Sequence, residues 1–275
     1  MRLKHLVKKL VAILLPVGPI MALNRALRAL AAKTHHLQFV RQWHLASRTP
    51  HSFDTFIDLY WRWNATRNPM SWERGIFGLL AMKPGCRLLD VCCGEGFYIY
   101  HFYSGRAGSV IAMDYNSGAI THARRNFSAP NITYVQGDIR ADMPNGPFDN
   151  ISWDAGIEYF TRDEIGGILS AMKLRLAPDG ILSGYSVLTA QDTAHQTPVA
   201  GQKFGAASSE ALYAVLGQSF RNVTILRTEH ADRFQERTNH YFFASDGLLP
   251  FGKGWHGLKQ WAPASSEASK KHDDQ

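Results

Sequence analysis

Acidic residues are missing from the first fifth of this chain. None of its 23 Asp and Glu precedes Asp54, whereas nine of its 30 Lys and Arg lie in residues 1–53. The other 222 residues hold 21 basic and 23 acidic side chains, so the formal charge of +7 belongs to an N-terminal arm on a near-neutral globule. The sequence pI of about 9.4 therefore says little about the globule's own partners. Cysteine is scarce too. Cys86, Cys92 and Cys93, two of them adjacent, cannot build a disulfide framework, and no CxxC or Cys/His zinc spacing occurs. A reducing compartment without a structural metal is the simpler reading. Long apolar runs are also lacking: the uncharged stretch Leu10–Leu23 has 14 residues and contains Pro16 and Pro19. A membrane-spanning helix needs about 20. With 275 residues, 45% of them apolar, and only 23 Gly and 12 Pro, the chain is neither disordered nor low in complexity.

In the arm, apolar residues at positions 3, 6, 7, 10, 13 and 14 follow helical spacing, with Lys4, Lys8 and Lys9 off that face. Leu23, Ala26, Leu27 and Leu30 form a second stripe opposite Arg25 and Arg28. Three readings remain: an in-plane membrane anchor, a helix packed on protein, and a cleaved signal peptide. Residues 34–72 are rich in His, Trp and Tyr, but the histidines have no metal-ligand spacing. The run Leu59–Trp63 reads as a helix face or a lid over a ligand pocket.

From Arg87 onward, short apolar runs alternate with helical patterns. Strands are expected at Arg87–Val91, Ser109–Met113, Ile132–Val135, Phe148–Trp153, Gly180–Tyr185, Val223–Leu226 and Tyr241–Ala244. Helices are expected at 96–106, 117–127, 162–175 and 208–217, the third opened by the capping box Thr161-Arg162-Asp163-Glu164 and the last by Ser208 or Ser209. Such alternation implies a parallel sheet covered on both faces, with ligands at the carboxyl ends of its strands.

The segment Leu88-Leu89-Asp90-Val91-Cys92-Cys93-Gly94-Glu95-Gly96-Phe97 ends a buried strand in an acid and opens a helix through two glycines. Gly94 and Gly96 allow a turn closed to bulkier residues, and the helix amides favour an anion nearby. Asp90 could receive an ammonium group, so an amino-acid end suits both features. Asp114 ends the next strand twenty residues after Gly94, where an acid hydrogen-bonds ribose hydroxyls. Gly137-Asp138-Ile139 follows the third strand, where Asp138 could accept from an adenine amino group.

These motifs resemble those of the class I S-adenosylmethionine-dependent methyltransferase family. The likeness extends to Phe148–Asp154, to Ile157-Glu158-Tyr159-Phe160 and to Leu176-Ala177-Pro178-Asp179-Gly180-Ile181-Leu182. Cys92 stands where that family's first Gly is usual. The resemblance implies a Rossmann-like α/β fold, a seven-stranded, mostly parallel sheet of order 3-2-1-4-5-7-6 flanked by helices, and S-adenosyl-L-methionine as cofactor. By position, Asp90, Cys92, Gly94 and Gly96 would meet its methionine end and Asp114 its ribose. Tyr115, Asp138 and Ile139 would flank adenine, while Trp153 and Asp154 would close the pocket beside the methyl group.

Two further absences bear on the methyl acceptor. No Asn/Asp-Pro-Pro-aromatic segment follows the fourth strand, where Trp153-Asp154-Ala155-Gly156 stands, and there is no Pro-Cys nucleophile. Weight moves toward small-molecule, glycan or lipid-linked acceptors and away from nucleic acid. Asp154, Glu158 and His195 are the candidate bases, with Thr238-Asn239-His240 a weaker set. A nicotinamide dehydrogenase is disfavoured by Ile99, which occupies the place of its third glycine. An RNA methyltransferase using the basic arm on phosphate, or a non-catalytic cofactor-binding member of the fold, stays open. The expected organisation is a basic amphipathic arm (1–33) as candidate membrane anchor, a helical lid or approach segment (34–86), the methyltransferase core (87–250) and a polar tail (251–275). The expected location is cytoplasmic, peripheral on the inner face of an anionic membrane.

Overall fold

The computed structural model describes residues 17–39, 41, 69–187, 209–231, 236–247 and 249–250. They fall in two units, Met1–Arg67 and Asn68–Gln275. In the first, helix α1 spans Val17–Phe39. No acid lies in its first turn, and Ile20, Leu23, Leu27, Leu30 and Leu37 are all solvent-exposed. The stripe around Leu3–Leu14 lies outside the described residues. No described helix is long and apolar enough to cross a membrane.

The second unit is built on one sheet. Its strands are β1 (Arg87–Val91), β2 (Ser109–Asp114), β3 (Ile132–Gln136), β4 (Phe148–Asp154), β5 (Leu176–Val187), β6 (Asn222–Ala231) and β7 (Glu236–Ser245). Their order is β3-β2-β1-β4-β5-β7-β6, as the motif resemblance implies. The first five pair in parallel, and β7 runs antiparallel to both β5 and β6. Helices α2 (Met70–Ala81), α3 (Ser117–Asn126), α4 (Arg162–Arg175) and α5 (Ser209–Gly217) cover it.

Residues paired across a parallel ladder share a face, and successive residues along a strand take opposite faces. Leu89 and Val91 of β1, Met113 of β2, Ile151 and Trp153 of β4, and Leu182 of β5 enter an apolar cluster with Ile165, Ile168, Leu169 and Met172 of α4. Leu212, Val215 and Leu216 of α5 complete it beside Phe242 and Ala244 of β7. On the other face Leu88, Val110 and Ala112 pack with Ile120 and Ala123 of α3 and with Ile99 and Tyr103. Asp90 and Ser152 pair in register on that second face, and Ser152 pairs in turn with Ser183.

The capping box forms: Thr161 accepts from the Glu164 amide while the Glu164 carboxylate accepts from the Thr161 amide. Helix α5 is described from Ser209, whose hydroxyl is 2.8 Å from His240 Nε2, and the expected cap Ser208 lies outside the described residues. The helix expected over 96–106 is shorter and widens into a π-helical turn, Ile99–Tyr103, closed by the Ser104 amide on the Ile99 carbonyl at 2.7 Å. Strand β5 starts at Leu176, earlier than expected, and its pairing with β4 shifts register between Phe148 and Asn150.

Candidate active site

The carboxyl ends of β1, β2 and β4 meet in three irregular turns. After β1, Cys92, Gly94 and Gly96 have φ of 58°, 56° and 84°. This left-handed region costs a side-chain-bearing residue energy, so Cys92 sits in the conformation that glycine would adopt freely. Ala155, just after β4, is a second such residue at φ 49°. Strain of this kind persists where surrounding structure over-determines it, commonly beside ligands.

Asp114 ties the first turn to β2. Its Oδ2 accepts from the Gly94 amide at 2.9 Å and its Oδ1 from the Asn116 amide at 2.9 Å. Asn116 in turn caps α3 by accepting from Gly118 and Ala119. The two glycines have different surroundings. A Cβ on Gly96 would lie 2.6 Å from the Tyr134 hydroxyl, so that position serves packing. A Cβ on Gly94 would meet nothing within 4 Å, leaving open space above the turn.

The tip of β4 carries the strongest electrostatic arrangement. Asp154 Oδ2 accepts from Arg74 Nε of α2 at 3.2 Å and from the Tyr103 hydroxyl at 3.1 Å. The guanidinium also lies 4.3 Å from the Tyr98 ring centroid and 5.8 Å from that of Tyr185. Burial disfavours its charge, but Asp154, with help from Tyr98 and Tyr103, raises its pKa above the ordinary arginine value. Asp90 lies nearby, 4% exposed. It lies in register with Ser152, and its Oδ1 has no hydrogen-bond partner. Burial, and then the charge of Asp154, push its pKa well above the carboxylate range. Burial likewise raises the Cys92 and Cys93 thiols, with Asp114 the next cause for Cys92 and Asp90 for Cys93. Neither is a thiolate nucleophile near neutral pH.

The remaining sequence candidates are dispersed. Tyr115 is 76% exposed beside Asp114, open to a flat ligand. Ile139 is buried, and the Asp138 carboxylate is held by Arg140, which lowers its pKa and also binds Glu164. Trp153 is fully buried on the α4 face, tilted against Phe160 at 5.9 Å, and so underlies the site. Glu158 is buried in the 3-10 turn Ile157–Tyr159. His195 lies outside the described residues. His240 faces α5, on the side of the sheet away from Asp90 and Asp154. Among the described residues no group of acids, histidines or cysteines could hold a metal.

Arg74 and Tyr103 were not singled out by sequence reasoning. A signal existed: Glu73 and Arg74 are the only charges in the otherwise apolar helix Met70–Ala81. Charges so enclosed tend to be paired in the interior.

Residues 88–180 match a family described as "Methyltransferase domain". That match covers about a third of the chain and agrees with the strand order and the glycine turn. Over these residues the chain carries a class I methyltransferase domain. An uncharacterised methyltransferase of Synechocystis sp. is 34% identical over 107 residues, covering 38% of this chain and 48% of the relative. The dTDP-3-amino-3,4,6-trideoxy-alpha-D-glucopyranose N,N-dimethyltransferase of Streptomyces venezuelae is 30% identical over 97 residues, covering 34% and 40%. The chain thus spans about half or less of the length of the curated relatives it matches. The N-methyltransferase NodS of Bradyrhizobium japonicum WM9, solved with S-adenosyl-L-homocysteine, shares the fold. Its TM-score is 0.51 at 20% identity, covering 67% of this chain and 91% of NodS. The match begins at β1 and leaves Arg74 outside it.

Proposed function

We propose that this protein transfers a methyl group from S-adenosyl-L-methionine to a small-molecule, glycan or lipid-linked acceptor. The observation that carries the reading is the vacant space over Gly94, set between two acid-tipped strands. The residues fit the cofactor. Gly94 leaves room for a carboxylate, the unsatisfied Asp90 Oδ1 can accept from an ammonium, and Asp114 retains lone pairs for ribose hydroxyls. The exposed Tyr115 ring offers a face to adenine. The cofactor, when bound, supplies an electrophilic methyl group on a sulfonium.

The protein's own contribution is to orient the acceptor and exclude water, because in-line displacement needs a base only if the acceptor must lose a proton. Asp154 is already engaged within the protein, since its Oδ2 accepts from Arg74 and Tyr103. The arrangement therefore favours an acceptor nucleophilic in its neutral form, such as an amine, with Glu158 the remaining described candidate for proton removal. The name of the Streptomyces relative, an amino-sugar dimethyltransferase, supports the same class.

The arm completes the proposal. The exposed stripe Ile20, Leu23, Leu27, Leu30 on α1, with Arg25 and Arg28 off it and no acid before Asp54, suits an in-plane helix on an anionic leaflet. Each Lys or Arg near such a surface contributes about 1 kcal/mol. A lipid-linked acceptor would then be met at that surface.

Calorimetric titration with S-adenosylhomocysteine tests the cofactor site. Asp114→Ala removes a charged hydrogen-bond partner and should weaken binding by roughly 10- to 150-fold. Unchanged affinity in a folded variant would refute the assignment. Co-sedimentation with anionic and neutral vesicles tests the arm. The full chain should pellet with anionic vesicles, and Leu27→Glu/Leu30→Glu should not.

A further inference from the structure

Two buried carboxylates, Asp90 and Asp154, stand at the tips of adjacent strands β1 and β4, and the one guanidinium beside them pairs with Asp154. Arg74 makes its hydrogen bond to Asp154, and Tyr103 donates to the same oxygen. Asp90, in register with Ser152, has an Oδ1 without a partner. Among the described residues, the other groups that act on Asp90 are negative or neutral. These are Asp154 from β4, Asp114 from β2, Cys92 and Cys93 from the turn, Tyr103 from the π-helical turn, and Tyr134 from β3. Arg74, from α2, is the cation among the described residues that draws its pKa back down.

Burying an ionised carboxylate without a partner is expensive, so such a group takes up a proton. We infer that Asp90 is a proton-linked receptor for the cofactor's ammonium: it is a neutral acid while the site is empty and releases one proton to solvent when the cation arrives. Arg74 sets this division of labour. By holding Asp154, it leaves Asp90 as the carboxylate that must find its counter-ion in the ligand. The inference rests on the cofactor reading above and adds a pH dependence to it. With one proton displaced per cofactor, affinity falls up to tenfold for each pH unit below the Asp90 midpoint. The sign follows from the raised Asp90 midpoint. The free protein binds the proton that the complex lacks, so acid opposes binding.

Two measurements on the full chain test the inference. Titration with S-adenosylhomocysteine in buffers of different ionisation enthalpy should show net proton release, absent in Asp90→Asn. Asp154→Asn, with Asp90 intact, should also lose the release, because Arg74 is then free to pair with Asp90 before any ligand arrives. A residue that merely packs would not produce that second result. Binding with no proton release, or release that persists in Asp90→Asn, would overturn the inference. Infrared spectra of the ligand-free protein at about pH 7 provide a readout independent of binding. A carboxylic-acid carbonyl band that disappears in Asp90→Asn is expected, and its absence overturns the inference. If the band is present but S-adenosylhomocysteine does not bind, the cofactor reading fails, and with it the ammonium as the displacing cation.

Discussion

On one side of β4, Ile151 and Trp153 enter an apolar cluster with Leu169 and Met172 of α4. On the other side of the same strand, Asn150, Ser152 and Asp154 are buried beneath α2 and the π-helical turn. Asn150 donates to the Ala81 carbonyl at 3.2 Å and accepts from the Lys83 amide at 3.3 Å, while Asp154 pairs with Arg74. Both faces exclude water, but by different means. The α4 face tolerates any well-shaped apolar filling, because dispersion and hydrophobic burial have no direction. The α2 face depends on individual donors and acceptors, each costly to orphan. Uneven dependence of this sort is expected where a sheet supports a binding site on one side only.

The comparison can be broken by unequal losses. Arg74→Met leaves Asp154 buried without its ion pair and should cost about 3–5 kcal/mol in denaturant unfolding. Replacing both partners, Arg74→Met/Asp154→Leu, should recover much of that loss; no recovery would mean that the pair contributes shape more than charge. On the apolar face Leu169→Ala should cost about 2–5 kcal/mol through the cavity it leaves. Leu169→Met, close in volume, should cost under about 1.5 kcal/mol, a tolerance that the polar face lacks.

Tyr241→Phe sharpens the comparison at smaller scale. The Tyr241 hydroxyl donates to Glu73 Oε2 at 2.8 Å, and Thr228 donates to the same oxygen at 2.8 Å. With Thr228 still donating, the expected cost is about 1–2 kcal/mol. The smallest effect concerns His240, whose pKa burial, and then Arg227, lower from 6.5 to about 4. Between those values the unfolded chain takes up a proton that the fold refuses, so stability falls as pH drops through the window. His240→Gln should leave neutral stability nearly unchanged and remove about 1 kcal/mol of the loss per pH unit below about 6.5. Thermal midpoints measured across that range would show whether the acid slope persists in the variant.

Much of the architecture was legible in sequence, because periodicity reports burial and burial organises a parallel sheet. Strand positions, the capping box and the acids at β1 and β2 all follow from local pattern. The π-helical turn did not, since nothing local to Ile99–Tyr103 distinguishes a wide turn from an ordinary one; Tyr103 is committed to Asp154 across 51 residues of sequence. The face assignment of His240 was hidden for a similar reason. It depends on the register of β7 against β5, Ser186 opposite His240, which is a pairing rather than a motif. Cys92 shows the reverse case. It departs from the family's glycine and yet adopts the left-handed angle that a glycine there would take.

Adjacent residues of α2 reach in different directions. Glu73 holds Thr228 of β6 and Tyr241 of β7, while Arg74 holds Asp154 of β4. This one helix turn therefore fastens three strands, although it precedes the segment recognised as the methyltransferase domain. The heritable module and the mechanical module then have different edges. A chimera joined just before residue 88, where the family match begins, would import a sheet without its clasp. A junction near Pro69 would carry the clasp along, and grafting experiments should draw their boundaries there.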